Sequence, residues 1–493
     1  MPSTAFDQLI ALAQEVSVLT STESMLSWDQ ETYMPARSLN HRARQMAYLN
    51  GKAHSLATGT VFRKLLAKAE TEKTRDAKAA ANLRELRRDY DRAAKLPQKL
   101  VIEESELCAH GKAAWAEGRK KSDFSLFAPH LQKLVTLARK KADLWGYADE
   151  PYDALLETYE RGARTREVAE LFAKLKPDLT QIARQAVEQS ASVKPNLLRG
   201  KYPIEKQQIL NAEVAASLGF DFEAGRIDTT AHPFCTTLGP ADIRLTTRYD
   251  EADFTSSLFG VMHEAGHGLY EQGLPVDDFG LPSGRACSLG IHESQSRLWE
   301  NHVGRSRSFW EKWLPRTAEI FPHLKKIKLD DFLRAINRAE YSFIRVEADQ
   351  ATYDLHILLR FSIERRLVSG ELAVKDVPKA WNEEFESLFG MVPPDDAHGC
   401  LQDIHWSMGG LGYFATYTLG NLNAAQLFAT ARKQKKIATA LDRADYAPLL
   451  TWLRDKVHSQ GGTPLPGEIM LHATGKPTDA KWHLKHLRER FGE

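Results

Sequence analysis

The sequence predicts a mainly α protein: one large helical domain, residues 1–493, with a small β-sheet beside a single helix. Three observations point there. From about residue 38 to 190, apolar residues recur at helical spacing in segment after segment, and Ala, Leu, Glu, Lys and Arg dominate, as in good helix formers. Only between 225 and 250 does the pattern change to alternation rich in Thr and Ile, the mark of strands. No fixed-period repeat and no low-complexity linker divides the chain, so one domain is expected, with an N-terminal helical part to about residue 200 and a second part from 201 to 493.

The elements follow in order. Residues 5–20 carry apolar side chains at helical spacing, and residues 26–35 (Leu-Ser-Trp-Asp-Gln-Glu-Thr-Tyr-Met-Pro) form an aromatic stretch stopped by Pro35, a packed helix end. Helices are expected at 41–56, 75–95, 99–118, 127–145 and 165–189, broken at Leu96-Pro97, Gly146-Tyr147 and Pro195-Asn196. Their charges alternate in sign, which describes solvated faces. Two strands are expected at 226–234 and 242–249, then a helix at 253–272, a Pro/Gly loop to 284 and a helix at 288–299. A long helix at 331–368 and helices at 374–389, 410–435 and the C-terminal region complete the reading.

Lys plus Arg (66) nearly balances Asp plus Glu (65), so no global field favours nucleic acid or an anionic membrane as partner. No run of about 18 apolar residues occurs, which excludes a helical membrane span. Cys108, Cys235, Cys287 and Cys400 are scattered, without a CxxC pair, and suit neither a disulfide framework nor a thiolate zinc site. The N-terminus lacks a basic segment followed by an apolar stretch; with no signal peptide evident, a reducing cytoplasm is the expected location.

The chemistry concentrates in His263-Glu264-Ala265-Gly266-His267. On a helix, His263 and His267 lie one turn apart on one face and can hold one zinc ion, with Glu264 beside them to act on an activated water. A catalytic zinc takes three protein ligands and leaves a position for water. Glu293, in His292-Glu293-Ser294-Gln295, is the natural third candidate, with His292, Glu300 and His302 competing.

Further motifs stand in order along the chain: His232-Pro-Phe234, Asp242-x-Arg244-x-Thr246, Ile344-Arg345-x-x-Ala348-Asp349 and Gly399-x-x-Gln402-Asp403-x-His405-Trp406. With the two motifs above, this set resembles the carboxypeptidase Taq family of zinc metallocarboxypeptidases over nearly the whole chain, including the segment from Trp28, and departs from it at no motif position. The resemblance implies a helical fold with a deep substrate groove, removal of single residues from peptide C-termini with broad side-chain tolerance, and homodimers.

It also implies roles. His263, His267 and Glu293 bind one Zn2+ per chain, which Co2+ can replace, and Glu264 is the general base. Arg244 and Arg345 suit the free C-terminal carboxylate of a peptide substrate. Each arginine has a plainer reading: Asp242, Arg244 and Thr246 share one strand face, and Arg345 and Asp349 stand i,i+4 on a helix. His405 and His232 are candidate partners of the scissile carbonyl and its surroundings, with Tyr413 or Tyr417 downstream, and Asp403 could orient a histidine. Two other functions compete: a helical zinc oligopeptidase or dipeptidyl carboxypeptidase, and an inactive peptide-binding protein.

Overall fold

In the computed structural model, which describes residues 4–72 and 76–492, the first helix starts where a capping box allows it. The Thr4 hydroxyl accepts from the Asp7 backbone N–H, and the Asp7 carboxylate accepts from that of Thr4. The helix runs Ala5–Thr32, uniting the expected segment at 5–20 with the Trp28 segment, and stops ahead of Pro35. The helix expected from Arg75 begins outside the described residues; Ala77–Ala94 is helical.

The chain forms two compact units, each stitched from separated segments: Met1–Ala94, Asn196–Ile336 and Asn423–Thr478 in the first, and Lys95–Pro195, Asn337–Leu422 and Asp479–Glu493 in the second. Among the described residues, no helix is long and apolar enough to cross a membrane.

The first unit holds the sheet. It has three strands where two were expected: β1 (Gly225–Thr229), β2 (Cys235–Gly239) and β3 (Asp242–Thr247), ordered β1-β3-β2. β3 pairs parallel with β1 and antiparallel with β2, so β2 is an edge. The missed strand is five residues long and begins at Cys235, where the first expected strand, drawn to residue 234, was to end. Ile243 and Leu245 on the middle strand are fully buried and share a core with the helix Phe254–Glu271, through Leu258, Val261, Met262, Ala265 and Leu269. Asp253 caps that helix by accepting from the Thr255 N–H.

The second unit is helical. Its central helix, Tyr353–Ser369, is buried nearly all round, as an interior helix must be. His356, Arg360 and Glu364, spaced by fours, form a polar stripe along one face of it, fully buried. That stripe grips a loop. Arg360 donates to Asp403 and Gln402, at 2.6 Å each, and Glu364 accepts from the Trp406 indole (2.7 Å), the Gly412 N–H (3.0 Å) and the Tyr152 hydroxyl (2.6 Å).

Three expected helices are corrected. The stretch 331–368 is not continuous: Leu329–Ile336 and Tyr353–Ser369 are helical, with a loop and a short turn at Arg345–Glu347 between them. Arg345 and Asp349 are therefore not a helical ion pair. Asp349 instead accepts from the Glu340 and Ala351 N–H groups and the Thr352 hydroxyl, while the Arg345 N–H donates to Gln402. Helix 288–299 ends at Arg297 and passes into a π-turn, Leu298–Val303. The stretch 410–435 is helical only over Ala415–Arg432.

Candidate active site

The fours of the helix Phe254–Glu271 put His263, His267 and Glu271 on one face, and the helix Leu289–Arg297 brings Glu293 opposite. The approach is close because residue 266 is glycine: a Cβ there would stand 2.5 Å from the Ser296 Cα. His263 Nε2 lies 3.6 Å and His267 Nε2 3.4 Å from the same oxygen, Glu293 Oε2. Ligands about 2.1 Å from one ion at the tetrahedral angle stand roughly 3.4 Å apart, so the three donors fit a single metal.

What lies behind each ligand aims it. His263 Nδ1 is 3.0 Å from Glu300 Oε2; donating there leaves Nε2 with its lone pair toward the site. The π-turn's extra residue per turn carries Glu300 into that position. His267 Nδ1 lies 2.6 Å from His292 Nδ1, and His292 Nε2 lies 2.8 Å from Glu271 Oε1. With His292 donating to Glu271, its Nδ1 accepts from His267, and the His267 Nε2 is again free to ligate. One ligand is thus backed directly by a carboxylate, the other through a second imidazole. His292 and Glu300, weighed as third ligands, stand behind the two histidines; the His302 ring lies tilted against Phe428, with centroids 5.1 Å apart.

Charge follows from burial and neighbours. Burial would raise Glu293, but Arg297, bonded to its Oε1 at 2.7 Å, and the two imidazoles hold it well below the usual carboxylate range. Arg297 and His263 likewise overcome burial to bring Glu300 to about 2. Burial takes His267 down to about 4, a neutral ligand at neutral pH. Burial pulls His263 down as well, yet Glu293 and Glu300 outweigh it and its pKa rises. Burial lifts Glu264 to about 7, with His263 opposing the rise and Glu293 adding to it; a bound metal would draw it back down.

The other sequence candidates in this unit sit on or beside the sheet. His232 is exposed between β1 and β2. Arg244 pairs along its own strand, Nε and Nη2 each 2.8 Å from the Asp242 carboxylate, and its guanidinium lies 4.1 Å above the Trp28 ring. Arg226 on β1 repeats the pattern with Asp228, whose Oδ1 also accepts from the Tyr33 hydroxyl at 2.5 Å.

Arg345, His405, Tyr413 and Tyr417 gather in the second unit. The Arg345 side chain is 6% exposed. Its Nε and Nη2 donate to Asp403 Oδ1 at 3.0 and 2.8 Å, and its Nη1 to the Tyr353 hydroxyl at 2.9 Å. Arg360 takes the other Asp403 oxygen. Asp403 thus orients arginines, and is 3.9 Å from His405 Nδ1. Burial lowers His405 to about 4, with Arg345 and Arg360 adding to the fall, so it is neutral. Its ring centroid is 5.1 Å from that of Tyr413, and the Arg345 guanidinium lies 5.1 Å from the Tyr417 ring.

Sequence reasoning missed Glu271, Arg297 and Arg360. The first two were visible as spacing, four residues after His267 and four after Glu293; Arg360 carried no local signal.

The family model of the carboxypeptidase Taq (M32) metallopeptidases matches residues 8–491. Thermostable carboxypeptidase 1 of Thermus thermophilus is 40% identical, the alignment covering 99% of each chain. Carboxypeptidase 1 of Bacillus subtilis is 36% identical over 97% of this chain and 96% of the relative. The crystal structure of an M32 carboxypeptidase from Deinococcus radiodurans superposes with a TM-score of 0.96 at 36% identity, covering 99% of both chains.

Proposed function

The chain belongs to the carboxypeptidase Taq (M32) metallopeptidases and is a metallocarboxypeptidase; from that premise we propose that it is zinc-dependent and removes single residues from peptide C-termini with broad tolerance. The observation that carries the metal assignment is the convergence of His263 Nε2 and His267 Nε2 on Glu293 Oε2. One Zn2+ per chain fits that donor set, and Co2+, of similar ligand preference, can replace it. A cation held there supplies Lewis-acid chemistry, polarising the scissile carbonyl and acidifying the attacking water.

Glu264 takes the proton of the attacking water at a carboxylate oxygen and delivers it to the leaving nitrogen. His405, a neutral imidazole, donates an N–H to the developing oxyanion, with the Tyr413 ring as its neighbour; Tyr417 acts nearer to Arg345. Arg345 receives the C-terminal carboxylate. Supporting this is the charge of its cluster, two guanidiniums against the one carboxylate of Asp403, so that a substrate anion completes the balance. Arg244 is already matched by Asp242, and we assign it and His232 to holding the substrate chain near the sheet. The whole chain works as one metallocarboxypeptidase domain, dimeric and cytoplasmic, on peptides with a free C-terminal carboxylate.

The test pairs metal analysis of purified protein with product analysis on a peptide library, each peptide free and C-terminally amidated. The expected result is one zinc per chain and single-residue release, with most activity lost on the amides. Equal cleavage of amides, or release of dipeptides, would favour an oligopeptidase or dipeptidyl carboxypeptidase. Absence of metal with no hydrolysis after zinc or cobalt addition would leave a peptide-binding protein.

A further inference from the structure

One cavity in the first unit is not used by the chemistry above. It has a volume of about 510 Å³, within the range of small-ligand pockets. Phe62, Leu86, Phe279 and Leu281 supply apolar wall. Ala13, Ser17 and Ser21, small residues at fours on the helix Ala5–Thr32, leave the space open. The lining also takes in Thr237 and Gly239 of β2 and Glu271, the last residue of the helix that carries the metal-binding histidines. At the surface, Arg285 and Asp89, both lining residues, are paired at 2.7 Å.

Two elements therefore lead from the metal-binding histidines into this cavity. Along the helix, Glu271 follows His267 by one turn, about 6 Å. Along the sheet, β2 runs in the same direction: its Cys235 thiol feels the charges of both Glu264 and Glu271, and its Thr237 hydroxyl donates to Glu271 Oε2 at 2.8 Å. As an edge strand, β2 can pair with an extended peptide through backbone hydrogen bonds. Paired antiparallel, the commoner arrangement, the peptide would run from the Gly239 end toward the Cys235 end. Its upstream residues would then lie at the cavity, and its C-terminus would point away. The opposite direction would bring the C-terminal carboxylate toward Glu271, where like charge disfavours it. Six ångströms is roughly two residues of extended chain.

We infer that this cavity is a specificity pocket for an apolar side chain, aliphatic or phenyl, of the substrate residue two or three positions upstream of the scissile bond. The inference rests on the carboxypeptidase reading and adds to it a preference away from the chain end.

The experiment uses N-acetylated tetrapeptides with a free carboxylate and the same last two residues, in which each of the first two positions is varied in turn through alanine, leucine, phenylalanine and aspartate. At one of those positions, kcat/KM rises about tenfold from alanine to leucine or phenylalanine, the worth of one buried side chain, and falls for aspartate. Ser17→Trp, which puts an indole into the cavity, brings the leucine and phenylalanine peptides down to the alanine level. Ser21→Trp, one turn on, does the same and serves if the first variant does not fold. Val18→Trp, on an exposed position of the same helix, keeps the ranking. Equal kcat/KM across both positions, or a ranking that survives both cavity-filling variants, overturns the pocket. Hydrolysis of none of the peptides would overturn the carboxypeptidase reading itself, and the pocket with it.

Discussion

Around His263 and His267, buried carboxylates outnumber guanidiniums: Glu264, Glu271, Glu293 and Glu300 against Arg297 and Arg305. Around Arg345 the balance is reversed, with Arg345 and Arg360 sharing the carboxylate of Asp403 and with His405 and His356 held neutral. The first cluster suits a cation and the second an anion. Burying an uncompensated charge costs several kcal/mol, so an ion of the matching sign bound at either cluster would stabilise the fold. The difference also teaches how each is held. The candidate metal ligands sit on two helices locked side by side, whereas the arginine cluster is built across a loop and an interior helix.

The comparison can be broken most sharply at Glu264. Glu264→Gln keeps the shape and removes the base; kcat should fall by about 10³-fold or more, while metal content measured by mass spectrometry stays at the parent level. Loss of metal instead would mean that Glu264 belongs to the ligand set. Next comes the anion site. Arg345→Met should lower kcat/KM on free peptides by about 10²-fold and shrink the discrimination against amides, with Arg244→Met doing so far less. The reverse order would move the carboxylate site to the sheet.

The backing of His267 is worth less. Glu271→Gln, which loosens the hydrogen bond that fixes His292, should weaken metal affinity by roughly tenfold in competition with a chelator, whether or not the protein turns over. The smallest effect is on stability. Burial lifts Glu364 to about 7 from the ordinary 4.5, so the folded chain holds this proton more tightly than the unfolded chain does. Its contribution is complete below pH 4.5 and is lost as pH rises toward 7, an effect of about 1–3 kcal/mol. Glu364→Gln, which cannot titrate, should unfold at lower temperature overall but show a flatter dependence of its midpoint between those pH values; an unchanged slope would place the titration elsewhere.

Much of this was legible before any coordinates. His263, Glu264, His267 and Glu293 are written at helical spacing in two short motifs, because metal ligation and helix geometry both act locally. The loop between Ile336 and Tyr353 was not. Its residues are adequate helix formers, and what unwinds it is tertiary: Asp349 accepting from backbone groups on both sides of it, and Gln402 receiving the Arg345 N–H from across the second unit. The plainer alternative for Arg345, an ion pair along a helix with Asp349, fails because its carboxylate partner, Asp403, lies far away in sequence. Likewise β2 lay hidden behind a first strand drawn too long, though it supplies the edge on which the upstream pocket depends.

Gly266 sets a clearance. The donor spacings of 3.4 and 3.6 Å exist because nothing thicker than a hydrogen atom stands between the two helices at that point. A methyl group there would be about 1 Å short of ordinary contact with Ser296 and would push the Glu293 helix outward by a comparable amount. Preferred metal–oxygen distances for zinc, magnesium and calcium differ by only tenths of an ångström. Choice of ion is in this sense a machining tolerance, cut by the one interior residue of the motif that has no side chain to offer.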